Sequence, residues 1–255
     1  MEQHLDFNVS WRPHVALIRM DRPEKSNALP AASARRLVEC IDKAEDDGNV
    51  RCIVIRGGPA MFCAGADLDE MASDDPAVVL RAINAWTKVF LGIRLSMLPV
   101  IAVVEGPCLG GGYHLSLACD YTIATENAWF RHTGVDVGIS PMMPGTLMAA
   151  SVVGLKRASS LILRPRKIPA REAVDIGICS EVASESELEA VVAQRADELA
   201  ARDPMTVALA KAEINAGMGA SLGASVLSQL AGFLHATSPQ AHKRIQAHRD
   251  APGKK

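Results

Sequence analysis

The stretch that most constrains the fold runs from Pro99 to Thr125, PVIAVVEGPCLGGGYHLSLACDYTIAT. Val100 to Val104 is a short apolar run, rich in β-branched residues, of the kind that makes a buried strand. A turn at Glu105-Gly106-Pro107 follows, and then three consecutive glycines, Gly110 to Gly112. Leu115, Leu117, Ala118 and Cys119 next read as a buried helix, closed by Asp120 ahead of a second strand over Tyr121 to Ala124. Glycines at a helix entrance let a ligand approach backbone N–H groups that have no partner inside the helix. Those donors, with the positive end of the helix dipole, suit a negatively charged oxygen. Close packing of helix on strand accounts for the glycines equally well. Their spacing is not G-x-G-x-x-G, which sets a dinucleotide fold aside.

Composition narrows the partners. A chain of 255 residues makes one large domain, or one domain with a helical appendage, and can bury a sizeable core. A net charge of −2 and an aromatic content of 4% argue against nucleic acid and against an anionic membrane surface. The six cysteines (Cys40, Cys52, Cys63, Cys108, Cys119 and Cys179) show no C-x-x-C spacing and read as small core residues from a reducing compartment. No metal-ligand spacing is visible, and no apolar run approaches the ~20 residues of a transmembrane helix. The expectation is a soluble, cytoplasmic protein.

In chain order, His14 to Met20 and Val50 to Arg56 read as strands separated by a helix over Pro30 to Asp46. Asp67 is placed as the cap of a short helical turn, and Asp74-Asp75-Pro76 opens a long helix carrying Val79, Ile83, Trp86, Val89, Phe90 and Ile93. Ala128 to Arg131 is a brief strand, and Thr133 to Gly145 a loop. From Thr146 onward the pattern predicts helices, at roughly 146–153, 155–163, 170–176, 186–202, 204–216, 221–236 and 239–248. Strands alternating with helices, then helices alone, make an α/β core with a helical C-terminal region. The division is set at residues 1–195 and 196–255.

Several motifs, in this order and spacing, carry a resemblance. They are Asp21-Arg22-Pro23 with Asn27-Ala28-Leu29, Phe62-Cys63-Ala64-Gly65-Ala66-Asp67-Leu68, Pro99-Val100-Ile101-Ala102, Gly106-Pro107-Cys108-Leu109-Gly110-Gly111-Gly112, Ala118-Cys119-Asp120 and Gly138-Ile139-Ser140-Pro141. Across nearly its whole length the chain resembles the crotonase, or enoyl-CoA hydratase/isomerase, superfamily. The resemblance implies a spiral of β-β-α turns and a C-terminal helical region used for trimerisation, as a homotrimer or a dimer of trimers. It also implies an acyl-CoA thioester as substrate, with coenzyme A part of that substrate and no separate cofactor. Two backbone N–H groups would polarise the thioester carbonyl, and by motif position these are Ala64 and Gly111. The implied contacts to CoA and substrate are Arg22, Lys25, Ala66, Asp67, Leu68, Met71, Gly110 and Met142. Met61, Met97 and Met143 are further candidates for an acyl tunnel, and His235 for a contact to a neighbouring subunit's CoA.

The chain departs from the family at the catalytic carboxylates. Where hydratases carry one glutamate this sequence has His114, and alignment places Gly134 at the other. His114 is the acid/base candidate, one helical turn beyond Gly111, and Asp136 is the second, with His132 behind it. The expectation is enolate chemistry with a single base: isomerisation, thioester hydrolysis, decarboxylation or a modified hydration. A non-catalytic acyl-CoA binding protein is the alternative.

Overall fold

The computed structural model describes residues 2–4, 6–139 and 145–216, together with 243 and 247. The strands among them are β1 (Glu2–His4), β2 (Phe7–Arg12), β3 (Val15–Met20), β4 (Cys52–Arg56), β5 (Val100–Val104), β6 (Pro107–Leu109), β7 (Tyr121–Thr125), β8 (Trp129–Arg131), β9 (Ile168–Pro169) and β10 (Glu181–Ala183). The helices are α1 (Ala31–Asp46), α2 (Leu68–Met71), α3 (Pro76–Leu95), α4 (Gly111–Ala118), α5 (Gly134–Val137), α6 (Gly145–Val153), α7 (Leu155–Leu163), α8 (Ala170–Asp175), α9 (Leu188–Ala200) and α10 (Pro204–Ala216).

Strands β4 and β5, CIVIR and VIAVV, are buried at every position because helices cover both faces of the sheet they build. Ile53 and Ile55 of β4, with Val100, Ala102 and Val104 of β5, face the side packed by α1 and α3. Val54, Ile101 and Val103 face the other way, onto Leu188, Val192 and Ala196 of α9. Period-two alternation therefore divides one apolar run between two cores. The large sheet has the order β1-β2-β3-β4-β5-β7-β10. Its first two pairings are antiparallel and the rest parallel.

A smaller sheet, β6-β8-β9, explains the spiral. Strand β5 passes into β6 and then α4; strand β7 passes into β8 and then α5. Each turn thus contributes one strand to the large sheet, one to the small sheet and then a helix. Strand β4 begins an equivalent turn, with Cys63 bridging Cys108 of β6 ahead of α2. This is the expected β-β-α organisation.

Helix α3 is, by length and composition alone, long and apolar enough to cross a membrane. Ten of its residues are instead buried, against α1, α2 and α4 among others, and one of these is Arg94, so it is a core helix. Strands β1, β2, β6, β9 and β10 and helix α5 add to the expected elements. The division expected at 195/196 falls inside α9, which runs unbroken across it. Met142, Met143, Ser140, Pro141, His235 and the helices expected beyond 216 lie outside the described residues.

Candidate active site

The chain from Cys63 to Met71 is folded back onto the glycine turn ahead of α4 by two clamps. Asn27 is buried in the left-handed region at φ 52°, a conformation asparagine tolerates. It accepts the N–H of Arg22 at 2.9 Å and donates to the carbonyls of Met61 and Phe62 at 2.9 and 3.1 Å. Arg22 donates to Ala28 O at 2.8 Å and to Asp67 Oδ2 at 3.0 Å. Asp67 in turn caps α2, accepting the N–H of Asp69 at 2.9 Å. The expectation that Arg22 and Asp67 meet the ligand is corrected in part. Arg22 lines neither cavity and is half-buried in its own clamp, while Asp67 reaches only the outer groove.

Backbone meets backbone where these segments touch. A Cβ built on Gly111 would lie 3.0 Å from Gly65 Cα and 3.3 Å from Ala66 N; one on Gly65 would lie 2.5 Å from Gly111 N. Glycine is required at Gly65, which also sits at φ 104°, while a side chain at Gly111 would push its neighbours by a few tenths of an ångström. The N–H groups of Ala66 and Gly111 flank this contact, and neither donates to any described residue. Ala64 was the expected partner of Gly111, and the structure corrects this. The N–H of Ala64 is consumed by Ser26 O at 3.1 Å, so the unspent donor is two residues later, at Ala66. Gly111 opens α4, where an unpaired N–H and the positive dipole end coincide.

These two donors border an inner cavity of about 90 Å³. Its walls are Leu68, Met71, Ala82, Ile83, Trp86, Val137 and Ile139, with Gly110, Gly111, His114, His132, Thr133 and Gly134. Trp86 is held in place by a hydrogen bond from Nε1 to Leu29 O at 3.1 Å. Ala64, Ala66, Leu68, Thr133 and Val137 also line an outer groove of about 620 Å³, which Lys25, Asp67, Asp69, Trp129, Arg131 and Asp136 complete. A narrow apolar end therefore opens into a wide polar trough.

His114 lines the inner cavity, buried, with Nε2 lacking any hydrogen-bond partner. Burial first, and the neighbouring His132 second, push its pKa from 6.5 down to about 3, so the imidazole is neutral. His132 is also buried, its ring centroid 5.2 Å from that of His114, and its Nδ1 is likewise without a partner. Burial lowers its pKa to about 4 against an opposing pull from Asp136. Asp136 itself stands in the outer groove, paired with Arg131 at 2.9 Å, and does not line the inner cavity. The expectation of a catalytic Asp136 is corrected accordingly: its carboxylate belongs to a half-exposed ion pair. Lys25 pairs with Asp69 at 3.3 Å on the exposed rim. Cys63 is no nucleophile, since burial pushes its thiol up to about 12.

Gly134 leaves no room for a side chain. A Cβ there would approach Ile139 O to 2.8 Å and His132 Cε1 to 3.0 Å. His132 lines the inner cavity where Asp136 does not, and Trp86 and Thr133 form a wall that no sequence motif marks. Register is the signal that places His132 and Thr133: Leu109 pairs with Arg131, so the residues after Arg131 emerge beside Gly110, whose N–H bonds Arg131 O at 3.0 Å.

The sequence model of the enoyl-CoA hydratase/isomerase family matches residues 12–250. The chain belongs to this family. It is 32% identical over 230 residues to the short-chain-enoyl-CoA hydratase of Clostridium acetobutylicum, covering 90% of this chain and 88% of the relative. It is 36% identical over 212 residues to the mitochondrial Delta(3,5)-Delta(2,4)-dienoyl-CoA isomerase of Rattus norvegicus, covering 78% and 64%. A solved enoyl-CoA hydratase/isomerase from Xanthobacter autotrophicus Py2 superposes with a TM-score of 0.85 at 30% identity, covering 97% of this chain and 94% of the other. Hydratases and isomerases of CoA thioesters thus share this fold, and the crotonase resemblance of the motifs is confirmed.

Proposed function

We propose that this crotonase-family chain acts on an acyl-CoA thioester, holding the thioester oxygen with the N–H groups of Ala66 and Gly111 while His114 moves the proton. The supporting observation is the pair of unspent N–H groups beside a cavity that is also lined by a neutral, unpartnered imidazole. Two preorganised donors favour the enolate oxygen over the thioester carbonyl, and such a donor contributes about 2.7–4 kcal/mol at the transition state. Proton transfer to His114 creates an imidazolium that burial disfavours in the empty cavity. The developing enolate charge offsets that cost, so the two charges form together. The outer groove then takes the CoA moiety, with Lys25 and Arg131 at its rim. No separate cofactor enters the reaction as written, and a trimeric assembly in the cytoplasm completes the proposal.

Saturating acyl-CoA is expected to raise the melting temperature by about 5–10 °C at a hundredfold excess over Kd, because ligand bound only to the folded state stabilises it by about 2.7 kcal/mol. Thermal denaturation with a panel of thioesters measures this, and an unchanged midpoint throughout overturns the acyl-CoA reading. Binding without turnover of any thioester favours the non-catalytic alternative.

Hydration of crotonyl-CoA is expected to be weak or absent. No Asp or Glu lines the inner cavity among the described residues, and hydration is served by two groups that hold a water and shuttle its protons. Gly134→Glu is expected not to restore it, since the new Cβ meets the Ile139 carbonyl. A spectrophotometric assay at ordinary family rates in either protein would show the active groups to be elsewhere.

A further inference from the structure

Two imidazoles, not one, close the inner cavity. His114 and His132 are 4% and 2% exposed, and each keeps one ring nitrogen that is buried and bonded to nothing: Nε2 of His114 and Nδ1 of His132. The rings are 5.2 Å apart, and the rest of the inner wall is chiefly Met71, Ala82, Ile83, Trp86 and Val137. A buried polar group without a partner is costly, and a hydrocarbon ligand would leave both in that condition.

We infer, resting on the acyl-CoA reading above, that His132 and His114 together read the acyl group, and that this group carries a neutral hydrogen-bonding oxygen, a hydroxyl or a ketone, in preference to a plain hydrocarbon chain or a carboxylate. A neutral imidazole offers one N–H donor and one bare nitrogen, and which is which follows the partner. A hydroxyl both donates and accepts, and a ketone accepts, so either satisfies nitrogens that a methyl or methylene group cannot. A carboxylate fares worse. Both imidazoles are held neutral by burial, and no Lys or Arg lines the inner cavity among the described residues. Arg131 stands in the outer groove, where Asp136 already pairs with it. A buried anion there would lose its water and gain no counter-charge. His132 is on this reading a specificity residue.

The test is calorimetric binding of four-carbon CoA thioesters to the full chain: butyryl-, 3-hydroxybutyryl-, acetoacetyl- and succinyl-CoA, with free CoA as reference. At least one of the hydroxyl and ketone ligands is expected to bind about 10–100-fold tighter than butyryl-CoA, with succinyl-CoA weakest. In His132→Leu that preference is expected to fall to about twofold or less, with free CoA unaffected. His132→Asn, which keeps a donor and an acceptor, is expected to retain part of the preference and serves if the leucine variant does not fold. Butyryl-CoA binding as tightly as both oxygenated ligands overturns the inference, as does a preference that His132→Leu leaves intact. Equal binding of all four thioesters overturns the inference alone; failure of every thioester and of CoA to bind overturns the acyl-CoA reading with it.

Discussion

Replacing His114 with alanine is expected to lower kcat by about 10²–10⁴-fold on whichever thioester is turned over, while CoA affinity stays nearly unchanged. The side chain lines the inner cavity and not the groove assigned to CoA, so its loss removes proton transfer and leaves the binding of CoA itself. Single-turnover measurements separate the two. His114→Gln fills similar space and can hydrogen-bond but cannot accept a proton at useful pH, so it is expected to be as slow as alanine. Equal rates for wild type and both variants would remove His114 from the mechanism. The pH profile adds a second readout. An imidazole at its ordinary 6.5 would lose its basic form as pH fell through that value, whereas His114 is held at about 3. The profile of kcat/KM, which reports the free enzyme, is therefore expected to show no His114 limb across roughly pH 5–8. Gly145 backs this arrangement: a Cβ there would come within 2.2 Å of His114 Cγ, so α6 locks the ring from behind.

Asp120→Ala is expected to destabilise the fold by about 3–5 kcal/mol, toward the lower figure because the carboxylate is partly exposed. Asp120 ends the helix of the glycine turn and gathers three donors. Its Oδ2 accepts from the N–H of Val100 at 2.9 Å and from Lys211 Nζ at 2.6 Å, and its Oδ1 accepts from Arg94 at 3.4 Å. Lys211 and Arg94 are themselves buried, with side chains 6% and 8% exposed. Removing the anion leaves two buried cations whose remaining partners are neutral: the carbonyls of Ile93 and Leu98 for Lys211, and of Ala118 with Asn215 for Arg94. The same cluster ties α10 to α3 and β5, so denaturant unfolding and hydrogen exchange in residues 204–216 report the loss. Asp120→Asn keeps acceptors and is expected to lose less. A stability within experimental error of wild type would show the cluster to be energetically idle.

Much of the spiral was legible because its signals are local. The β-branched runs at β4 and β5, the glycine triplet and the acidic cap at Asp67 each act within a few residues. Phe7, Val9 and Trp11 also alternate as a strand should, and β2 was there to be read. Strands β9 and β10 were not, since two or three residues carry no period and pair only because β8 and β7 offer them an edge.

At the site, the sequence by itself determined which backbone comes close to which: glycine is needed at Gly65, where it touches Gly111, and the motif order brings those segments together. Tertiary structure alone decided which N–H groups remain free. Ala64 and Ala66 are chemically alike and two residues apart, and only the pairing of Ala64 with Ser26 separates a spent donor from an available one. Tertiary structure likewise withdrew Arg22 into a clamp, turned Asp136 toward Arg131 and set His132 beside His114. The physical reason is plainest at Ala64 and Arg22, spent on Ser26 and Asp67. A polar group's availability depends on whether some distant part of the chain has already satisfied it, and that is a property of the packed molecule rather than of the residue or its neighbours in sequence.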